Sequence, residues 1–148
     1  MMFSTPAPVR AVIDTSVLVA GSRSRRGASF AVLQLIGSDS VQPCLSVALY
    51  LEWQQALSRA ENIPPGASRE NVAGFLRFLA GKSHLQEIYF LWRPVLKDPN
   101  DDMLLELAVA SRSPMIVTHN VGDFAGAERF GIEALPPAAF LRRIRGES

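Results

Sequence analysis

The sequence predicts an α/β protein, a three-layer α/β/α sandwich around a mainly parallel central sheet of about five strands. Three observations predict it. Short apolar runs, among them residues 9–13, 41–44 and 115–118, alternate with longer stretches of helical periodicity. Turn residues such as Pro64, Pro65 and Gly66 separate these stretches. Asp14 follows directly after the first run and Asn120 and Asp123 follow the fourth, at the carboxyl ends of strands, where open parallel sheets take their ligands.

Taken in order, residues 9–13 form an apolar run broken only by Arg10 and ended by Asp14, which reads as a buried strand. A loop through Gly21 and Gly27 leads into a helix over 28–36. Residues 41–44 read as a second strand and 47–60 as a strongly helical stretch. Residues 61–68 are a loop, and Ser68 caps a helix running to about Lys82, with Phe75, Leu76, Phe78 and Leu79 as apolar members. Residues 88–92 are a candidate third strand. A turn at 98–101 opens a helix over 102–111, and 115–118 is the fourth strand. A short helix over 123–130 stops at Gly131, and 132–135 is a fifth strand. Pro136 and Pro137 start a last helix carrying Phe140, Leu141 and Ile144. Residues 1–9, with Pro6 and Pro8, read as a flexible leader, and 10–148 as a single domain.

Composition narrows the class. Of 148 residues, 48% are hydrophobic and 20% charged, proportions of a globular domain and not of a disordered chain. No run approaches the roughly 18 apolar residues of a membrane span, and residues 1–10 lack the apolar centre of a secretory signal. The expectation is cytoplasmic residence without a membrane partner. Cys44 is the only cysteine, which excludes an internal disulfide and a cysteine-built zinc cage. A net charge of +1 does not select nucleic acid, so an RNA reading must rest on a local site.

Four segments carry acids or amides toward one edge. Asp14 ends the first strand, either as a helix cap or as a site residue. Leu45, Leu49, Glu52 and Ala56 share one helical row, and Tyr50, Trp53 and Leu57 lie beside it, so the helix reads as well buried. Glu52 on such a helix needs compensation, from an arginine or from a metal. Asp101 and Asp102 open the helix after the third strand, where acids also favour the helix dipole. Asn120 and Asp123 follow the fourth strand, where both are ordinary turn residues. Each residue has a structural explanation alone. Converging, they would repel one another unless a cation intervened, and an oxygen-only set suits Mg²⁺ or Mn²⁺.

Taken together, the motifs are specific. The strand ending in Asp14-Thr15-Ser16-Val17-Leu18, the Leu45-Ser46 pair before Glu52, the Asp98-Pro99-Asn100-Asp101-Asp102 run into Leu105-Glu106-Leu107-Ala108, and Ile116-Val117-Thr118-His119-Asn120 with Asp123-Phe124 resemble the PIN-domain family. The resemblance covers about residues 10–144 and is strongest to its VapC-like branch, the toxins of toxin–antitoxin systems. It implies an endoribonuclease that hydrolyses RNA phosphodiester bonds with one or two Mg²⁺ or Mn²⁺ ions. It implies Asp14, Glu52 and Asp102 as metal ligands, Asp102 being preferred to Asp101 because it lies sixteen residues before Thr118. Asn120 stands where many members carry Asp, and Asp123 can supply the missing charge. Thr15, Ser16 and Thr118 would support the ligands from behind. The family also implies a cognate antitoxin and a homodimer, for which Phe75, Phe78, Phe90 and Trp92 are candidate interface residues besides core packing.

Arg23, Arg25 and Arg26, just beyond Asp14, are candidate RNA-phosphate contacts or a solvated basic loop. Arg142, Arg143 and Arg145 read as a solvated tail, and His84 and His119 as surface or structural residues. Other acid-bearing classes fit less well. A phosphoaspartyl receiver would want a second acid beside Asp14, and a haloacid-type phosphatase would want Asp-x-Asp where Asp14-Thr15-Ser16 stands. A calcium loop from Asp98 would want Gly at Met103 and Glu at Val109. The alternative function is a degenerate PIN fold that binds RNA or protein without catalysis.

Overall fold

A computed structural model describes residues 7–88 and 94–146. Five strands, β1 (Val9–Ile13), β2 (Val41–Leu45), β3 (His84–Leu85), β4 (Met115–Val117) and β5 (Glu133–Leu135), form one sheet in the order β3-β2-β1-β4-β5, with every pairing parallel. Six helices accompany them: α1 (Thr15–Arg23), α2 (Ala28–Gly37), α3 (Val47–Leu57), α4 (Arg69–Lys82), α5 (Pro99–Ala110) and α6 (Pro137–Ile144). The three-layer α/β sandwich expected from sequence is the observed fold.

Strand β1 lies at the centre because Ala11, Val12 and Ile13 are apolar on both faces and fully buried. Helix α2 packs on β2, α4 and α6, and α5 lies against β1, β2 and β4. Trp53, Phe124 and Phe140 are the largest side chains in the core. No helix among the described residues is long and apolar enough to cross a membrane.

Several boundaries depart from the sequence reading. Helix α1 occupies part of the expected loop. Gly, Ser, Thr and two β-branched valines give it poor intrinsic propensity, and burial of Val17 and Leu18 holds it instead. The third strand falls at His84–Leu85, where Gln86 N donates to Leu45 O at 2.8 Å. Of the expected 88–92 strand, Ile88 is outside the sheet and 89–92 lie outside the described residues, as do Phe90 and Trp92. Strand β1 starts at Val9, inside the expected leader, of which residues 1–6 are likewise not described. Helix α3 is not buried all round, since Val47 is 79% and Leu51 50% exposed. Helix α5 begins three residues earlier than expected, because Asp98 caps it and Pro99 takes its first turn. The short helix expected over 123–130 is two 3-10 turns, Val121–Phe124 and Ala127–Phe130.

Candidate functional site

The strand order reverses at β1: the chain builds β2 and β3 on one side of it and β4 and β5 on the other. Ligand crevices of open α/β sheets form at such a point, beyond the carboxyl ends of the strands. Here those ends are Asp14 after β1 and Thr118 after β4. The backbone fixes both: Asp14 N donates to Val117 O and Thr118 N to Leu135 O, each at 2.9 Å. Thr118 is fully buried, and its Oγ1 donates to Asp14 Oδ2 at 2.7 Å. The same hydroxyl oxygen accepts the Asn120 N–H at 3.0 Å. One threonine thus orients the first acid and starts the turn bearing Asn120 and Asp123.

Helix α1 springs directly from Asp14, its N-cap residue, whose carboxylate makes no capping bond and is left for the crevice. In the first turn, Thr15 Oγ1 and Ser16 Oγ are buried, and Thr15 stands close enough to Glu52 to act on its charge without a well-formed hydrogen bond. Glu52, on α3, reaches the same region half-buried. Burial raises its pKa above the ordinary carboxylate value, the nearby Thr15 hydroxyl draws it back, and Asp14 and Asp98 raise it again. No arginine figures among these influences. The ion pairs found among the described residues, Lys82–Asp39 and Arg143–Glu133, lie elsewhere.

Of the adjacent aspartates, Asp101 joins this group. Its pKa is pushed up from 3.8 to about 6, first by burial and then by Asp98, Asp123, Asp14 and Glu52. Asp102 sits differently. It is 8% exposed, and its carboxylate accepts the Val95 N–H at both oxygens (3.1 Å each) and the Leu96 N–H at 3.0 Å. It lies toward a groove with Tyr50, Met103 and Glu106, and it helps burial hold the Glu106 pKa up. The preference for Asp102 over Asp101 as the acid that meets the others therefore does not match the placement. Asp98, absent from the expected set, borders the cluster, with its side chain accepting the Asn100 N–H at 2.8 Å. Asp98-Pro99 was the available signal: a capping Asp before a proline starts the helix early and turns Asp101 inward.

The structure thus brings Asp14, Glu52, Asp98, Asp101 and Asp123 within electrostatic reach of one another. Asn120 is exposed at the rim. The donor chemistry fits a hard cation: carboxylate oxygens that destabilise one another's charge, which a divalent ion would reverse. Among the described residues no three His, Cys, Asp or Glu side chains already form a metal cage.

The arginine loop joins α1 to α2, and Arg25 lines a pocket with Phe30, Leu33 and Phe75. Arg23 ends α1, Arg25 and Arg26 are exposed, and Ser29, on the first turn of α2, shares a 3.0 Å hydrogen bond with His119 Nε2. His119 is thereby a tether between α2 and the Thr118–Asp123 turn. Arg143 pairs with Glu133, with Nη1 and Oε1 2.6 Å apart, and Arg142 and Arg145 are exposed.

A family model described as PIN domain matches residues 10–122, most of the chain. The chain belongs to the PIN-domain family. A search of curated proteins finds no match. Among solved structures, a chain of VapBC2 from Rickettsia felis, crystallised bound to a DNA fragment from their promoter, is similar in fold. It shows a TM-score of 0.55 and 15% identity over 85% of this chain and 97% of that one. A chain of VapBC-1 from nontypeable Haemophilus influenzae gives the same TM-score and identity over 88% and 99%. At such identity these likenesses speak for the PIN fold alone.

Proposed function

We propose that this PIN-domain protein is a metal-dependent endoribonuclease and the toxin of a toxin–antitoxin pair. The observation that carries the reading is the convergence of Asp14, Glu52, Asp101 and Asp123 at the switch point of the sheet, with no basic side chain among the described residues acting on Glu52 or Asp101. A cluster of repelling acids opposes folding stability and calls for a cation. Mg²⁺ or Mn²⁺, one or two ions, would be held by Asp14, Glu52 and the Asp101–Asp102 pair, with Asn120 and Asp123 at the outer side. A metal bound there would supply an activated water and charge stabilisation for hydrolysis of a phosphodiester.

The chain's own residues do the rest. Thr118 fixes the Asp14 carboxylate, and Thr15 favours the ionised form of Glu52. Ser16 would support the same side from α1. Arg23, Arg25 and Arg26 bind phosphates flanking the scissile one, which sets the strand's register without reading bases. Partners are RNA as substrate, a cognate antitoxin and a second copy of the chain. The antitoxin is proposed from the family resemblance and from the two VapBC neighbours. The second copy is supported by exposed Val47 and Leu85, which line the groove, and by half-exposed Leu51 one turn after Val47 on α3.

The test is cleavage of labelled single-stranded RNA with Mn²⁺ or Mg²⁺, comparing wild type, Asp14→Asn and a chelator control. Metal-dependent cleavage that disappears in the variant supports the reading. Cleavage that survives the variant removes the site from it. Absence of both cleavage and metal binding would favour the non-catalytic binding module.

A further inference from the structure

A second concavity lies away from the acids, between α1, α2 and α4. We propose that it is a binding site for a small amphipathic anion, an apolar or aromatic body carrying one carboxylate or sulfonate. The inference is independent of the nuclease reading, and its test involves neither RNA nor a metal.

The space exists because three wall positions carry small residues, Gly21, Ser22 and Ala67. The pocket measures about 340 Å³, within the roughly 300–1,000 Å³ of small-molecule sites. Its apolar wall comes from Phe30 and Leu33 of α2, Leu57 at the end of α3, and Val72 and Phe75 of α4. Leu33, Leu57 and Val72 are buried, whereas the rings of Phe30 and Phe75 are only half-buried. A ligand with an apolar body would take the remaining ring surface out of water. The wall is fixed before a ligand arrives: Asn62 is 8% exposed, and its side-chain nitrogen donates to Ala56 O at 2.7 Å.

Charge selects the head group. Among the described residues, Arg25 is the one ionisable side chain that lines the pocket, and no acid lines it. Arg25 is exposed and takes no part in the ion pairs found among the described residues. A guanidinium at the edge of an apolar pocket attracts a carboxylate or sulfonate and repels an amine. A neutral handle stands near it in sequence: Ser22 Oγ is buried and, as placed, has no hydrogen-bond partner. Rotation about its χ1 would let that hydroxyl donate to an oxygen of the ligand, which removes the cost of leaving it unpaired.

The test uses the full chain as wild type, Arg25→Gln and Ala67→Trp. Anilinonaphthalene sulfonate is followed by fluorescence and thermal unfolding, and octanoate and octanol, which share a body and differ in charge, are compared as competitors. Wild type should bind one dye molecule per chain with a raised Tm, and octanoate should displace it at about fivefold lower concentration than octanol. Arg25→Gln should weaken both anions about fivefold and erase the preference over octanol. Ala67→Trp should fill the pocket and abolish binding. Failure of wild type to bind either anion overturns the proposal. So do octanol competing as well as octanoate, binding that survives both variants, and a dye signal that comes with a lowered Tm. If Ala67→Trp does not fold, the comparison of octanoate with octanol on wild type and Arg25→Gln decides alone.

Discussion

Thr118 and Asp14 are joined by a 2.7 Å hydrogen bond between the ends of two neighbouring strands. The bond ties the first acid of the crevice to the strand that carries the last. Thr118→Val keeps the shape and removes both the donor to Asp14 and the acceptor for Asn120 N–H. The expected outcome is a loss of about 1–2 kcal/mol in denaturant unfolding, together with weaker Mn²⁺ binding. Unchanged Mn²⁺ affinity would separate Thr118 from the site.

Asp101 sets a pH dependence of the metal-free protein. Its folded pKa, about 6, lies above the ordinary 3.8. Its contribution is thus fully present below the ordinary value and is lost as pH rises through about 6, because the unfolded chain then holds fewer protons than the folded one. Asp101→Asn in chelator should therefore be more stable than wild type at pH 8, by on the order of 1 kcal/mol once solvent screening is allowed for. The difference should vanish near pH 4. Denaturant titrations at the two pH values measure it, and a variant less stable at pH 8 would contradict the cluster.

Gly21 brings α1 onto α2. A Cβ there would meet Leu33 Cδ1 at 2.7 Å and Ser29 O at 3.1 Å. Gly21→Ala should lower stability by about 1–3 kcal/mol through overpacking and shift the backbone from which Ser29 reaches His119. Thermal unfolding reads the first effect, and the His119 ring resonances read the second.

The arginine loop makes an ionic prediction. Replacing Arg25 and Arg26 together by Ala should weaken single-stranded RNA binding and flatten its logarithmic salt dependence by about 0.7 for each phosphate that the loop no longer neutralises. Binding to Asp14→Asn in chelator, where no cleavage is expected, across a salt series gives the slope. An unchanged slope would return the loop to solvent.

Self-association is read most directly by light scattering. Wild type should give the mass of two chains, and Leu51→Glu, at a half-exposed position of α3, should give the mass of one. A monomeric wild type at working concentration would remove the dimer.

The strands and most helices were legible because their apolar period is strong and their turns carry Gly and Pro, as at Pro64 to Gly66. Helix α1 was not, because Thr15, Ser16, Val17 and Gly21 have poor helix propensity and only the packing of Val17 and Leu18 on neighbours makes them helical. Strand β3 has two residues, too few for any period to register. For the site, the convergence of Asp14, Glu52, the 101–102 pair and Asp123 was readable from strand ends. The choice within the pair was not: spacing from Thr118 counts residues, whereas orientation depends on where α5 starts. The Asp98 cap moves that start, and the amides of Val95 and Leu96 capture Asp102.

The bond between Thr118 and Asp14 spans 104 residues of sequence. Strand β4 follows β1, β2 and β3 in the chain and pairs on the other side of β1. During synthesis the chain therefore carries Asp14 and Glu52 long before the residues that complete their surroundings exist. The crevice is completed only once residues 101–123 have been made, so through most of that interval the acids after β1 and on α3 lack the surroundings that fix them.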